Sequence, residues 1–323
     1  MRKILSVSAS EWEAVALEVF HYQYENCTIY RQYVQLIGVD PAKVTTSLQI
    51  PFLPIQFFKT HRVKSGRWRR VTSFVSSGTT GSTTSRHYVR DRSWYLDNCV
   101  RGFTQFYPDP AGLRVLALLP NYLERRGSSL VAMTDHFIRR SNDSGSQFLL
   151  DDTERLVKLL RESVDKKIPT LLLGVSFALL DLAERHPLPL DDHIIIMETG
   201  GMKGRRQELI RADLHQRLRA AFSVDTIHSE YGMTELFSQA YSQGAGRFHP
   251  TPTLRVLLRE VTDPFSVSKS GSRGVLNLID LANLDTCSFI ATDDLGRVSS
   301  DGSFEVLGRM DRSDVRGCNL LVV

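Results

Sequence analysis

From Arg114 onward, short apolar runs alternate with helix-length amphipathic segments, and this alternation constrains the fold more than any other feature. Arg114 to Leu119 reads as a buried strand closed by Pro120, and Gly127 to Ile138 as a helix. Asp151 and Asp152 offer capping side chains for a helix running to about Val164. Ile194 to Met197 is a strand stopped by Gly200 and Gly201. The following helix is expected to carry Ile210, Leu214, Leu218 and Ala221 on one apolar face, by their three- and four-residue spacing. Ser223 to Ile227 reads as a further strand leading into His228. After Leu254 the helices stop: Leu254 to Val261, Gly274 to Leu281 and Phe304 to Leu307 look like successive strands. The expected fold class is therefore α/β with a mostly β C-terminal part.

Upstream, Ser10 to Ile37 has helical periodicity and many aromatics, and Val71 to Val75 a short strand. The Ile50 to Lys59 stretch holds Pro51 and Pro54, which favours extended chain. The apolar run Ile168 to Leu182 is interrupted by Gly174, Ser176 and Asp181, so it reads as buried structure rather than a membrane span. The apolar stretch after Met1 is too short for a signal peptide.

A formal net charge of +4 over 323 residues suits anionic substrates without demanding nucleic acid. The arginine clusters at 67–70, 139–140 and 205–206 read as solvated faces, since no nucleic-acid-binding motif accompanies them. Cys27, Cys99, Cys287 and Cys318 are scattered without metal-ligand spacing, which fits reduced thiols in a cytoplasmic protein.

Three segments carry candidate chemistry. The Ser76 to Ser85 loop offers glycines for close backbone approach, with hydroxyl and amide donors for phosphate oxygens. It does not fit a Walker P-loop, and a plain polar loop is the alternative. Tyr231-Gly232-Met233-Thr234-Glu235 lies just beyond a strand, where a carboxylate suits Mg²⁺ and a tyrosine suits stacking on a base. Taken alone it also reads as a surface turn. In Thr292-Asp293-Asp294, Asp294 suits both ribose hydroxyls. Asp301-Gly302 between strand-like runs reads equally as a hairpin turn.

In this order the segments resemble the adenylate-forming superfamily, which includes acyl-CoA synthetases and luciferases. Its pattern is Ser-Gly-Thr-Thr-Gly, Tyr-Gly-x-Thr-Glu, Thr-Gly-Asp and Gly-Arg, and the likeness runs from Ser76 to Arg309. The lysine that often follows the phosphate loop is replaced by Thr83-Thr84, and Asp293 replaces the glycine of Thr-Gly-Asp. A closer resemblance is to the phenylacetate–CoA ligase branch and to acyl-protein synthetases of the LuxE type, which serve a bacterial fatty-acid reductase complex. It rests on Ile50 to Lys59, Tyr122 to Leu130 and Glu198 to Arg205.

The resemblance implies an adenylate-forming catalytic region at 1–309 and a short C-terminal tail at 310–323, without the family's usual mobile C-terminal domain. It implies ATP and Mg²⁺ as cofactors. Ser77, Gly78, Thr79, Thr80 and Gly81 would border the phosphates, with Thr79 and Thr80 catalytic. Thr199, Gly200 and Gly201 would border adenine, and Tyr231, Gly232 and Thr234 would also belong to the cofactor-binding site. Glu235 would be the catalytic metal ligand, and Asp294 with Arg309 would hold the ribose. Cys318, in Arg316-Gly317-Cys318-Asn319, matches a cysteine near the C-terminus that receives the acyl group in the LuxE type; Arg312 and Arg316 would favour its thiolate.

The implied activity is ATP-dependent conversion of a carboxylic acid, fatty by analogy, to acyl-AMP, then transfer to a thiol. Implied partners are an acyl-transferase or reductase subunit, or an acyl-carrier protein. The rival readings are an acyl-CoA or acyl-carrier-protein ligase and a non-catalytic nucleotide-binding subunit. His228 near the Tyr-Gly turn, and His136 with Phe137, are read either as site-lining or as ordinary structural residues. Cys27, Cys99 and Cys287 are read as inert core thiols.

Overall fold

The computed structural model describes residues 2–76, 84–119, 127–200 and 209–310. They form two compact units: Arg67–Thr253, and Met1–Gly66 together with the chain from Leu254 on.

The Arg67–Thr253 unit is built on a sheet whose centre is parallel. Strands Gln147–Phe148, Arg114–Leu118, Thr170–Val175, Ile194–Thr199 and His228–Tyr231 lie side by side in that order, all parallel. Ala240–Ser242 and Arg247–Pro250 extend the sheet antiparallel. Every residue of Arg114–Leu118 and Thr170–Val175 is buried, because helices cover parallel strands on both faces and reward continuous apolar runs. Ser128 caps helix Ser129–Arg140 by accepting from the Val131 N–H, and Asp152 caps Thr153–Lys166 by accepting from Arg155. The buried Arg114 side chain ties this layer together, donating to both Asp143 carboxylate oxygens (2.8 and 3.2 Å), to the Leu159 carbonyl and to Ser163.

Two expectations need correction here. The strand after helix Arg211–Phe222 is His228–Tyr231, not Ser223 to Ile227. Ser223 instead ends the helix in the left-handed region, at φ 53°. Ile210 precedes the helix and is 68% exposed, so the buried face is Leu214, His215, Leu218 and Phe222.

The other unit carries an antiparallel sheet in the order Val267–Ser268, Leu254–Arg259, Gly271–Asp280, Phe289–Val298, Phe304–Arg309. Asp301-Gly302 makes the turn of the last hairpin, with Gly302 at φ +83°. Leu53–Pro54 adds parallel to Phe289–Val298, and because proline has no N–H the next residue, Ile55, donates to the Ala291 carbonyl at 2.9 Å. The extended reading of Ile50 to Lys59 therefore holds at its centre, but Phe57–Thr60 turns into a short helix.

Helices Trp12–Asn26 and Thr28–Leu36 bring an aromatic cluster to this sheet. Tyr30 stacks on Phe289 at 5.8 Å, and Phe20 meets both rings edge-on. Buried Gln23 donates to the Asn283 carbonyl and accepts from the Ser288 N–H, satisfying its amide across 260 residues of chain.

Candidate active site

The carboxyl ends of parallel strands are where open α/β sheets expose loops suited to ligands. At that end of Ile194–Thr199, Glu198 and Thr199 point to opposite faces of the sheet. Glu198 is 3% exposed. Its Oε1 lies 3.3 Å from Arg211 Nε and 3.6 Å from His215 Nε2, and Ser176 Oγ donates to its Oε2. Burial alone would raise this carboxyl, but the His215, Arg211 and Ser229 side chains outweigh it and hold the group below its ordinary range. Ser176 Oγ is also 2.9 Å from the Gly200 carbonyl, which links this cluster to the strand's exit.

On the other face the Thr199 hydroxyl donates to Glu230 Oε2. Thr199, Glu230 and Tyr241 are aligned in register across three strands, forming a polar row. Glu230 is buried, and desolvation raises its carboxyl to about 7, against the lowering effect of Thr199 and with a further push from Glu198. Gly232 follows closely: a Cβ there would sit 2.5 Å from Glu230 Oε1. Any larger residue at the second position of the Tyr-Gly turn would therefore force the Glu230 carboxyl to shift.

Tyr231 ends its strand, buried, with its ring 5.9 Å from Phe248. Thr234 and Glu235 stand in the turn that follows, Glu235 only 5% exposed. The turn is pinned by His87, whose Nδ1–H donates to the Thr234 carbonyl at 2.9 Å and whose ring stacks on Phe237 at 4.4 Å. A carbonyl only accepts, so Nδ1 carries the proton. Burial lowers His87 to about 4, with the Thr234 bond acting in the opposite sense, so the ring is neutral near pH 7. His228 is likewise lowered to about 4, by burial and then by His215, and its Nδ1 lies 3.2 Å from the Tyr107 hydroxyl.

The Arg67–Thr253 unit thus brings together Thr199, Gly200, Tyr231, Gly232, Thr234 and Glu235 at two adjacent strand ends and the turn beyond. Asp294 and Arg309 belong to the other unit, where they face each other across the last hairpin with Arg309 Nε donating to Asp294 Oδ1 at 3.0 Å. The Asp294 N–H is held by the Thr292 hydroxyl, which itself donates to the Leu276 carbonyl. Ser77, Gly78, Thr79, Thr80, Gly81, Gly201 and Cys318 lie outside the described residues.

Phe137 packs 4.9 Å from Phe103, as a core helix face does, while His136 is half-buried. Cys27, Cys99 and Cys287 are buried, and desolvation raises the thiols of Cys27 and Cys287. Glu198, His215, Glu230 and His87 are residues of the candidate site that the motifs do not single out. A charged residue closing the apolar run 194–197 was the available signal for Glu198; nothing local marked His87.

No family model and no curated protein matches this sequence. Solved structures do match. ATP-bound MatB from Rhodopseudomonas palustris aligns at 17% identity and TM-score 0.55, over 74% of this chain and 48% of that one. A 2-hydroxyisobutyryl-CoA ligase in its postadenylation state aligns at 13% identity and TM-score 0.66, over 96% of this chain and 70% of that one. O-succinylbenzoate coenzyme A synthetase (MenE) from Bacillus subtilis, with ATP and magnesium, aligns at 18% identity and TM-score 0.50, over 76% of this chain and 51% of that one. The fold is that of the adenylate-forming enzymes. The chain spans about half the length of MatB.

Proposed function

We propose that this chain activates a carboxylic acid as an acyl-adenylate at the expense of ATP. The observation that carries the reading is the placement of Thr199-Gly200 and Tyr231-Gly232-Met233-Thr234-Glu235 at the carboxyl ends of adjacent parallel strands. That placement occurs in a fold shared with ATP-bound MatB and ATP-bound O-succinylbenzoate coenzyme A synthetase.

In the proposed reaction a carboxylate oxygen of the acid bonds to the α-phosphorus while the bond to the bridging oxygen breaks. Pyrophosphate leaves with that electron pair. Thr199 and Gly200 border adenine in this reading, and Tyr231 and Gly232 shape the same wall. The loop residues Ser77 to Gly81 supply amide and hydroxyl donors where phosphate charge develops, which is where fixed donors contribute most. Asp294 and Arg309 hold the ribose.

Glu235 is the residue that would hold Mg²⁺. Among the described residues no three His, Cys, Asp or Glu side chains stand together as a metal cage. A single carboxylate still fits magnesium, which takes most of its oxygen shell from phosphates and water. When bound, the ion neutralises phosphate charge.

The acyl group then passes to a thiol. In the LuxE-type reading Cys318 is the acceptor: its sulfur bonds to the acyl carbon, AMP leaves, and the thiol proton is lost to solvent. A fatty acid is the substrate by the same likeness, and an acyl-transferase or reductase subunit the recipient. Mass spectrometry after incubation with Mg-ATP and a panel of carboxylic acids tests both steps. Acyl-AMP and a hydroxylamine-sensitive adduct, lost in Cys318→Ala, are expected. Acyl-AMP without an adduct moves the acceptor to an external thiol, and no acyl-AMP with any acid defeats the activity itself.

A further inference from the structure

The unit formed by Met1–Gly66 and the chain from Leu254 on contains a cavity of about 450 Å³ that the proposed activity does not use. Its size falls in the range of small-molecule sites, and its walls combine apolar side chains, among them Ile37, Ile50, Phe52 and Phe265, with a nearly equal share of polar surface. Phe265 contributes an exposed edge to this lining.

One wall carries a cation. Arg259 is only 9% exposed. Its Nε donates to Asn277 Oδ1 at 3.1 Å and its Nη2 to the Thr292 carbonyl at 2.8 Å. Both acceptors are neutral, and the guanidinium makes no ion pair with a described residue, nor does its Nη1 donate to one. The acidic group in the lining is Asp293: it attracts Arg259 through space without forming an ion pair with it, and its Oδ2 accepts from Gln56 Nε2 at 2.6 Å. The neighbouring Asn277 Nδ2 is buried with no hydrogen-bond partner among the described residues. A buried cation without a salt bridge is costly, and an orphaned donor beside it adds to that cost. Of the two, Arg259 lines the cavity, and an anion there supplies its guanidinium with a charged acceptor.

We propose that this cavity binds a monocarboxylate with an unbranched apolar chain, the carboxylate on Arg259 and the chain among Ile37, Ile50 and Phe52. A rigid charged fork is well suited to a planar carboxylate, and the walls suit methylenes. The inference stands independently of the activity proposed above, since none of the residues assigned to adenylation lines the cavity.

Calorimetric titration of the full chain without ATP tests it, using decanoate, decan-1-ol and decylammonium as probes. Saturable decanoate binding is expected, at least tenfold tighter than the alcohol and the amine. Arg259→Met should weaken decanoate at least tenfold and leave the alcohol unchanged, and Val39→Trp, which fills the cavity, should abolish both. Because the comparison of the three probes needs no variant, poor folding of Arg259→Met leaves the test standing. Equal affinity for acid and alcohol in the natural protein overturns the inference. Decanoate binding that survives Val39→Trp also overturns it, by placing the acid elsewhere, and leaves the proposed activity untouched.

Discussion

Replacing Glu230 by glutamine should stabilise this protein at alkaline pH and leave it nearly unchanged at acid pH. The carboxyl sits buried between Thr199 and Tyr241 in the strand register, and its protonation is raised from 4.5 to about 7. The folded state therefore holds a proton that the unfolded chain releases between those values. Stability contributed by this group is full below pH 4.5 and is lost as pH rises through 7. At about 1.4 kcal/mol per pH unit, the loss reaches about 3 kcal/mol above pH 8. An amide of the same shape still accepts from Thr199 but never ionises, so Glu230→Gln should recover most of that amount at pH 8.5 and little at pH 5. All other groups are common to both proteins, so the difference between their urea denaturation curves isolates Glu230. A variant destabilised equally at both pH values would show that Glu230 folds as a carboxylate, and would refute the reasoning.

Gly232→Ala places a methyl 2.5 Å from Glu230 Oε1 inside a buried cluster, and should cost about 1–3 kcal/mol in thermal or urea unfolding. Arg114→Met removes five hydrogen bonds made by a buried guanidinium and should cost about 3 kcal/mol by the same assay. His87, whose folded protonation is lowered to about 4, should keep a neutral ring with a protonated Nδ1 down to pH 5 by NMR; titration near 6.5 would contradict its buried placement. Its stabilising contribution is full above pH 6.5 and is lost as pH falls toward 4. Asp294→Asn should weaken ATP binding more than it slows turnover, as a KM-against-kcat comparison would show, because a ribose contact positions rather than stabilises developing charge.

Apolar runs made much of the fold legible. Arg114–Leu118, Ile194–Thr199, Leu254–Arg259 and Phe304–Arg309 fall within a few residues of where hydrophobic patterning places them. Ser128 and Asp152 likewise mark their helix starts, because a cap is a local hydrogen bond. Hydrophobic patterning does not mark His228–Tyr231, because His-Ser-Glu-Tyr looks like surface. It is buried only because Thr199 and neighbouring strands satisfy its polar groups, which is information from distant sequence. Phe289–Val298, with two aspartates at its centre, hides for a similar reason: Gln56 and Arg309 engage those carboxylates.

The same limit applies to the candidate site. Tyr231 to Glu235 stands out by order and residue type. The support beneath it, His87 on the Thr234 carbonyl and Glu230 under Gly232, depends on strand pairing and non-local packing. Nor does local pattern join the first 66 residues to the chain beyond Leu254 in one unit, since that union rests on contacts such as Gln23 with Ser288.

Acid activation is tested most directly by ATP–pyrophosphate exchange. With Mg²⁺, ATP and labelled pyrophosphate, the natural protein should return label to ATP only when a suitable carboxylic acid is present, because only reversible acyl-AMP formation connects the two. Glu235→Gln, which keeps the side-chain shape but loses its charge, should reduce that exchange at least a hundredfold in a folded protein. Exchange that needs no acid, or that proceeds at the natural rate in Glu235→Gln, would contradict the account.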